Sequence, residues 1–197
     1  VLRAKCKLSD ASAEVPLVGL AGTAAVTEAG DMTAWQLREL DGGWLIRLPD
    51  AAGTPRVLLA ANQGPGTWPA ITLDAWRWLE VQSGVPVIEA PTVEQFVPQM
   101  LNFELVGGVN FQKGCYPGQE IVARSHYLGK VKRRVFQASA IGNMAIAAGQ
   151  DVWLTGKDNE PAGTVATAVT FNGQQHLLVE LPVDDAEQTS AEFLVKG

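Results

Sequence analysis

Residues 113–124 read KGCYPGQEIVAR, and segments with the pattern of β-strands lie on both sides of this stretch. Pro117 and Gly118 precede a run that is typical of the start of a helix. Glu120 falls in the first turn, where a negative charge is favourable, and it precedes Arg124 by four positions in the favourable order for an ion pair. The stretch therefore predicts a loop that leads into a helix near residue 118.

Cys115 lies in this predicted loop, a few residues before the helix, with Lys113 close by. A helix N-terminus and a nearby lysine both favour the thiolate, which is the reactive form of cysteine. The alternative is a buried structural thiol in a tight turn, and residue spacing alone leaves both interpretations open. The nearest histidine, His126, is eleven positions further on, and Cys6 is remote. No spacing is typical of a zinc or cluster site, so no metal site is predicted.

The segments on either side of this stretch have the period of β-strands. Downstream, five short strands with turns between them predict a small antiparallel barrel or sandwich. They lie at 134–140, 150–156, 163–171, 176–183 and 192–197. Upstream, strands are predicted at 2–8, 15–21, 35–40, 44–48 and 55–61. The sequence Asp-Gly-Gly at 41–43 predicts a hairpin between two of them.

One further helix is predicted upstream, over residues 72–84. Thr72 is a suitable N-cap, Asp74 lies in the first turn, and Gly84 followed by Pro86 ends the helical pattern. A long connection with few regular elements is expected from there to Gly114.

Composition limits the class of protein. The chain has 197 residues, of which 47% are apolar and 18% charged, as expected for a globular protein with a core. Its net charge of −6 argues against a protein that binds nucleic acid by neutralising many phosphates. No run approaches the about 18 apolar residues that span a bilayer, and two distant cysteines without a signal peptide indicate reduced thiols in a cytoplasm. The first residues already have the alternating pattern of a strand, and there is no initiator Met. We therefore expect this sequence to be the later part of a longer protein.

A basic cluster follows the predicted helix and consists of Lys130, Lys132, Arg133 and Arg134. One interpretation is a solvated strand edge that charge protects from pairing. The other is a docking site for an anionic tail of a ligand, for RNA or for a protein partner. The sequence favours the first interpretation. His126 and His176 have no partner that the sequence identifies.

The stretch from 113 to 124 resembles the K-G-C-[FY]-x-G-Q-E motif of the YgfZ family, the folate-binding relatives of the glycine-cleavage T-protein. Residues 84–116, GVPVIEAPTVEQFVPQMLNFELVGGVNFQKGCY, are similar to the family order G-x-P-x-I, F-x-P-Q, N-L and G-G-[IV]-x-F-x-K-G-C-Y. The resemblance implies that Cys115 is the central residue of a functional motif. The motif comprises Lys113, Gly114, Cys115, Tyr116, Gly118, Gln119 and Glu120.

The resemblance also implies a folate site on the helix over 72–84. In this family a tryptophan eight positions before a glycine contacts folate, and counting back from Gly84 gives Trp76. An indole stacks well on a flat pterin ring. The other interpretation is a core tryptophan on the same stripe as Leu79. Relatives usually carry a glutamate where this chain has Gln82, whose amide offers one acceptor and two donors but no charge.

The fold implied by the resemblance is α+β. Residues 1–129 correspond to the central part of a T-protein-like folate-binding domain, an antiparallel sheet with helices, whose N-terminal portion is absent. Residues 130–197 correspond to a small antiparallel β-barrel.

The function implied by the resemblance is that of a cytoplasmic accessory protein that binds tetrahydrofolate or a derivative. It would support the assembly or repair of iron–sulfur enzymes, including those that modify tRNA, and these client proteins would be its partners. Direct nucleic-acid binding and membrane association are not expected. The alternative is a folate-dependent aminomethyltransferase. The aspartate expected for that reaction belongs to the absent N-terminal region, and such enzymes do not normally carry this cysteine loop, so the accessory role is favoured and catalysis is left open.

Overall fold

The computed structural model describes residues 5, 7–61, 66–127, 129–142, 144–155, 160–186 and 192–195. The fold is α+β with two antiparallel sheets, which agrees with the predicted fold class. The chain divides into two compact units, residues 1–70 and residues 71–197. No helix in the described ranges is long and apolar enough to cross a membrane.

The first unit is a four-stranded antiparallel sheet with the order β1-β4-β3-β2 and one short helix. Its elements are β1 (Leu17–Ala21), α1 (Thr23–Ala29), β2 (Leu37–Leu40), β3 (Gly43–Ala51) and β4 (Thr54–Ala61). Leu20, Leu45 and Val57 are buried with Ala25 of the helix and form the core of this unit. The hairpin predicted at residues 41–43 is confirmed, since β2 and β3 pair on either side of it.

Four of the predicted strands of this unit are confirmed, and two local features differ from the prediction. The helix α1 was not predicted, although its alanines are strong helix formers. Gly22 and Gly30, with φ of 64° and 60°, bound it on both sides. Of the predicted strand 2–8, residues 5, 7 and 8 are not in a strand, and the remainder, including Cys6, lies outside the described residues.

The second unit contains a five-stranded antiparallel sheet with the order β5-β8-β7-β6-β9. Its strands are β5 (Arg133–Ala140), β6 (Asp151–Leu154), β7 (Gly163–Phe171), β8 (Gln174–Pro182) and β9 (Phe193–Val195). Phe136 of the edge strand β5 and Phe193 of the opposite edge strand β9 pack on one apolar cluster with Val165 and Val179. Because both edges contribute to one core, the sheet curls as a half-barrel. The antiparallel strands are therefore confirmed, whereas full closure into a barrel stays a prediction.

Helix α2 (Leu73–Ser83) packs against this sheet and has the ends that the sequence predicts. The Thr72 hydroxyl accepts a hydrogen bond of 3.1 Å from the backbone N–H of Ala75. Gly84 adopts the left-handed conformation, with φ of 71°. Gln137 of β5 donates to the carbonyl oxygens of Val81 and Gln82 at 3.0 and 2.8 Å, two of the carbonyls in the last turn of the helix.

The remaining elements of the second unit are the helices α3 (Gln119–Tyr127) and α4 (Val183–Ala186) and a 3-10 turn at Ala90–Thr92. The long connection before α3 is irregular, as predicted, but side chains attach it to the rest of the unit. Gln99 donates to the carbonyl oxygen of Val122 at 2.6 Å, and Asn102 donates to that of Val135 at 2.8 Å. The predicted domain boundary at residues 129 and 130 lies within this unit, and the division of the complete protein into domains stays a prediction, as does the T-protein-like character of its fold.

Candidate functional site

Cys115 is exposed and is not in a disulfide. The turn that follows it is fixed by two hydrogen bonds between Tyr116 and Gln119. The backbone N–H of Tyr116 donates to Gln119 Oε1 at 3.2 Å, and the backbone N–H of Gln119 donates to the carbonyl oxygen of Tyr116 at 3.3 Å. Helix α3 begins at Gln119, close to the predicted position. Within the described part of the chain, Cys115 belongs to no group of three or more side chains that could hold a metal ion.

The two glycines beside Cys115 have different roles. Gly118 has φ of 80°, a conformation that residues with a Cβ rarely adopt, so the turn requires glycine at this position. Gly114 is not in the left-handed region, and a Cβ added there would meet no atom within 4 Å. The loop therefore depends on Gly118 for its backbone geometry and does not depend on Gly114.

The two charged side chains of the motif differ in their surroundings. Lys113 Nζ lies 4.7 Å from the centroid of the Tyr116 ring, in a cation–π arrangement. Its influence on the thiol of Cys115 stays a prediction. Glu120 is exposed, and the ion pair predicted between Glu120 and Arg124 is not formed in the part of the chain that the structure describes. Residues four apart on a helix are neighbours, but two exposed side chains gain little from pairing.

An aromatic group connects the loop before Cys115 to the end of α3. The ring of Phe111 stacks on that of His126, with centroids 3.7 Å apart, and Tyr127 meets His126 edge-on at 4.7 Å. His126 therefore has aromatic partners that the sequence did not indicate, because the loop and most of α3 separate Phe111 from His126 in the chain. These contacts hold both ends of the segment that carries the thiol.

Helix α2 carries the two predicted folate residues on different sides. Trp76 is partly buried, and its Nε1 donates to Glu80 Oε1 at 3.0 Å, an interaction between residues four apart. Gln82 is half-buried, and its side-chain amide forms no hydrogen bond within the described residues. Six helical positions separate Trp76 from Gln82, which corresponds to a rotation of about 120° around the axis. A single ligand that contacts both side chains would therefore extend around the helix.

The neighbouring tryptophan of α2, Trp78, is a core residue. Its ring stacks on Phe171 with centroids 5.1 Å apart, and His176 meets it edge-on at 6.1 Å. His176 thus has a structural contact, which the sequence did not identify.

The basic cluster splits into two parts with different environments. Arg133 Nε donates to Glu180 Oε1 at 2.5 Å, and Arg133 Nη2 donates to Glu180 Oε2 at 2.8 Å. These bonds raise the pKa of the Arg133 guanidinium above its ordinary value, although partial burial acts in the opposite direction. Arg134 lies 2.9 Å from Glu104 in a second ion pair. Lys130 and Lys132 are exposed.

The interpretation of this cluster as a solvated edge is thus wrong for its two arginines. Both side chains lie between strands and loops of the second unit, where carboxylates from distant parts of the chain pair with them. The interpretation agrees with the exposure of the two lysines.

The structure therefore defines an α+β protein with an exposed cysteine in a K-G-C-Y-x-G-Q-E loop at the start of a helix. No family model matches the chain. The chain is 35% identical over 122 residues to the tRNA-modifying protein YgfZ of Cronobacter sakazakii, covering 61% of this chain and 37% of that protein. It is 37% identical over 122 residues to YgfZ of Klebsiella pneumoniae, with the same coverage. It is 38% identical over 98 residues to YgfZ of Yersinia enterocolitica, covering 49% of this chain and 30% of that protein.

These comparisons confirm the resemblance to the YgfZ family that the motif indicates. The matched part spans about a third of the length of these curated relatives, 30–37%.

Proposed function

We propose that this chain is part of a cytoplasmic, folate-binding accessory protein that supports iron–sulfur enzymes, including enzymes that modify tRNA. The observation that carries the proposal is the exposed thiol of Cys115, in the loop by which the chain resembles YgfZ. The relatives are named tRNA-modifying proteins, and this name agrees with a role in tRNA modification.

The loop is suited to present a thiol to another protein. Cys115 is accessible, and the turn formed by Tyr116 and Gln119 sets the direction in which the chain enters α3. The ring contacts of Phe111 and His126 hold the preceding segment. In this proposal the thiol contacts the client enzyme or its cluster directly, whereas the rest of the loop positions it.

A folate would supply a flat aromatic ring with amide-like edges, and the residues of α2 fit such a group. The Nε1–H bond to Glu80 orients the indole of Trp76, and the unbonded amide of Gln82 retains its acceptor and donors for a ligand. The indole would stack on the ring, and the amide, about 120° further around the helix, would bond to a polar group elsewhere along the folate molecule. Because the resemblance to the T-protein implies a glutamate at the position of Gln82, we expect weaker folate binding here than in proteins that carry the carboxylate.

Complementation tests the role of the thiol. Cells that lack their own protein of this class would receive the wild-type protein, a Cys115→Ser variant or a Cys6→Ser variant. Mass spectrometry would then measure the tRNA nucleosides whose synthesis requires iron–sulfur enzymes. We expect the wild type and Cys6→Ser to restore these nucleosides and Cys115→Ser to restore less than about a tenth of their level.

Two controls make the result interpretable. Circular dichroism and the level of soluble protein should be the same for Cys115→Ser as for the wild type, because the exposed thiol of Cys115 contributes little to the core. Full restoration by a folded Cys115→Ser protein would show that the thiol has no role, and the proposal would then be abandoned.

A further inference from the structure

A cavity of about 430 Å³ lies in the second unit, where the end of α3 meets the chain that leads into β5. This volume is within the range of small-molecule sites, which is about 300–1,000 Å³. Its apolar wall includes Val97, Met100 and Val131. The cavity contains neither the thiol of Cys115 nor the folate residues predicted on α2, so it is independent of the function proposed above.

The charge around this cavity is of one sign. Its lining includes Arg124, Lys130, Lys132 and Arg133, and no carboxylate of the described residues lines it, although the whole chain carries a net charge of −6. Arg133 is paired with Glu180. The other three form no ion pair or side-chain hydrogen bond within the described residues. Lys130, Lys132 and Arg133 also line a neighbouring cavity, and Asp184 borders that cavity.

Three unpaired cations around one cavity favour an anion. Each repels the others, and a bound anion would remove that repulsion while forming charge-assisted hydrogen bonds. A phosphate group suits such a set, because it carries a charge near −2 and three acceptor oxygens. The apolar wall would contact the remaining body of the ligand, which an inorganic ion does not possess.

A buried polar atom in the wall adds a second requirement. Gln99 lines the cavity and is only 1% exposed. Its Nε2 donates to the carbonyl oxygen of Val122, which fixes the orientation of the amide because the opposite orientation would place two oxygens together. Its Oε1 is buried and has no donor within the described residues. Buried acceptors are rarely left unbonded, so a ligand with an O–H or N–H group would complete this one.

We propose that this cavity binds a small organic phosphate. Arg124, Lys130 and Lys132 hold the phosphate group, the apolar wall contacts the organic body, and Gln99 Oε1 accepts a hydrogen bond from a hydroxyl or amino group of the ligand. A nucleic acid is less suited to the site, because three unpaired cations of the described residues line the cavity and the chain as a whole is acidic.

Isothermal titration calorimetry of the protein tests this proposal with three matched pairs of probes. These are adenosine monophosphate with adenosine, glucose 6-phosphate with glucose, and glycerol 3-phosphate with glycerol. At least one phosphate should bind at one site and about tenfold or more tighter than its partner without phosphate. It should also bind more tightly than inorganic phosphate, since the apolar wall contacts only the organic body.

Variants locate the site. Replacing both lysines, Lys130→Gln with Lys132→Gln, should weaken the binding of that phosphate about tenfold or more, and Arg124→Gln should weaken it as well. Arg77→Gln is the matched control, because Arg77 is also an exposed arginine on a helix and lies outside the cavity. Gln99→Leu removes the acceptor and should weaken binding too. If this variant does not fold, the exposed lysines still decide the outcome.

Three results would overturn the proposal. The first is that no phosphate binds more tightly than its matched partner. The second is that Arg77→Gln reduces binding as much as the lysine variants do. The third is that a short single-stranded RNA binds through the same lysines more tightly than every organic phosphate, which would make this surface an RNA site. None of these results bears on the complementation test of Cys115, so the two proposals fail separately.

Discussion

Replacing Glu180 with alanine removes the partner of a guanidinium that lies between β5 and β8. The side chain of Glu180 is 4% exposed and that of Arg133 is 34% exposed. Both carboxylate oxygens accept hydrogen bonds from Arg133. In Glu180→Ala the guanidinium would keep its 2.7 Å bond to the carbonyl oxygen of Ala162 and the longer-range attraction of Asp185. A positive charge that is mostly removed from water would then lose the carboxylate that is hydrogen-bonded to it.

The expected cost follows from the burial of the two side chains. Removing one partner of a fully buried pair destabilises a protein by about 3–5 kcal/mol. Because a third of Arg133 is exposed to water, we expect the lower end, about 3 kcal/mol. For a unit of this size, the melting temperature should fall by about 10 °C.

Thermal denaturation followed by circular dichroism measures this effect, and Asp50→Ala provides the comparison. The carboxylate of Asp50 is 51% exposed, and its partner Arg47, which is 14% exposed, would keep its hydrogen bonds to the carbonyl oxygens of Leu48 and Arg56. The loss of Asp50 should therefore cost less than that of Glu180, about 1 kcal/mol. Replacing the pair with apolar residues, Arg133→Met with Glu180→Leu, should recover most of the stability. The reasoning is refuted if Glu180→Ala lowers the melting temperature no more than Asp50→Ala does.

The pH dependence of this pair has a definite sign. The pKa of Arg133 is raised in the folded state, mainly by its hydrogen bonds to Glu180. A raised pKa contributes stability that is fully present below the unfolded pKa and is lost as the pH rises through the folded pKa. Since both values lie far above neutrality, this contribution should not change between about pH 6 and pH 9.

Three further predictions concern the loop and α2. Gly118→Ala should lower the stability by about 1 kcal/mol in thermal denaturation, because φ is 80° at this position. Gly114→Ala should change the stability little, since an added Cβ meets no atom within 4 Å. Equal effects of the two variants would contradict these backbone roles. Trp76→Ala should weaken the binding of tetrahydrofolate by about 1–3 kcal/mol, measured by tryptophan fluorescence. Trp44→Ala is the control, and unchanged binding in Trp76→Ala would mean that Trp76 is a core residue. Gln82→Glu should tighten folate binding, and no change would remove this side chain from the site.

The features that could be predicted from the sequence are those formed by residues close together in the chain. The limits of α2 follow from Thr72 and Gly84, and the first hairpin follows from the turn at 41–43. The loop before α3 and the exposure of Cys115 also agree with one of the two interpretations that its flanking residues allowed. A cap, a tight turn and a helix start each depend on only a few successive residues, so local preferences are sufficient to specify them.

The side-chain interactions that the sequence did not indicate join residues that are far apart in the chain. In sequence the basic cluster is a single run of charge, yet Arg133 pairs with Glu180, 47 positions away, and Arg134 contacts Asn102, 32 positions away. Lys130 and Lys132 remain exposed and line the cavity with Gln99. Sequence spacing carries no information about such pairs, because they form only when the order β5-β8-β7-β6-β9 and the loop before α3 bring these side chains together. Chain topology therefore determines which of these cations pair with a carboxylate and which remain exposed.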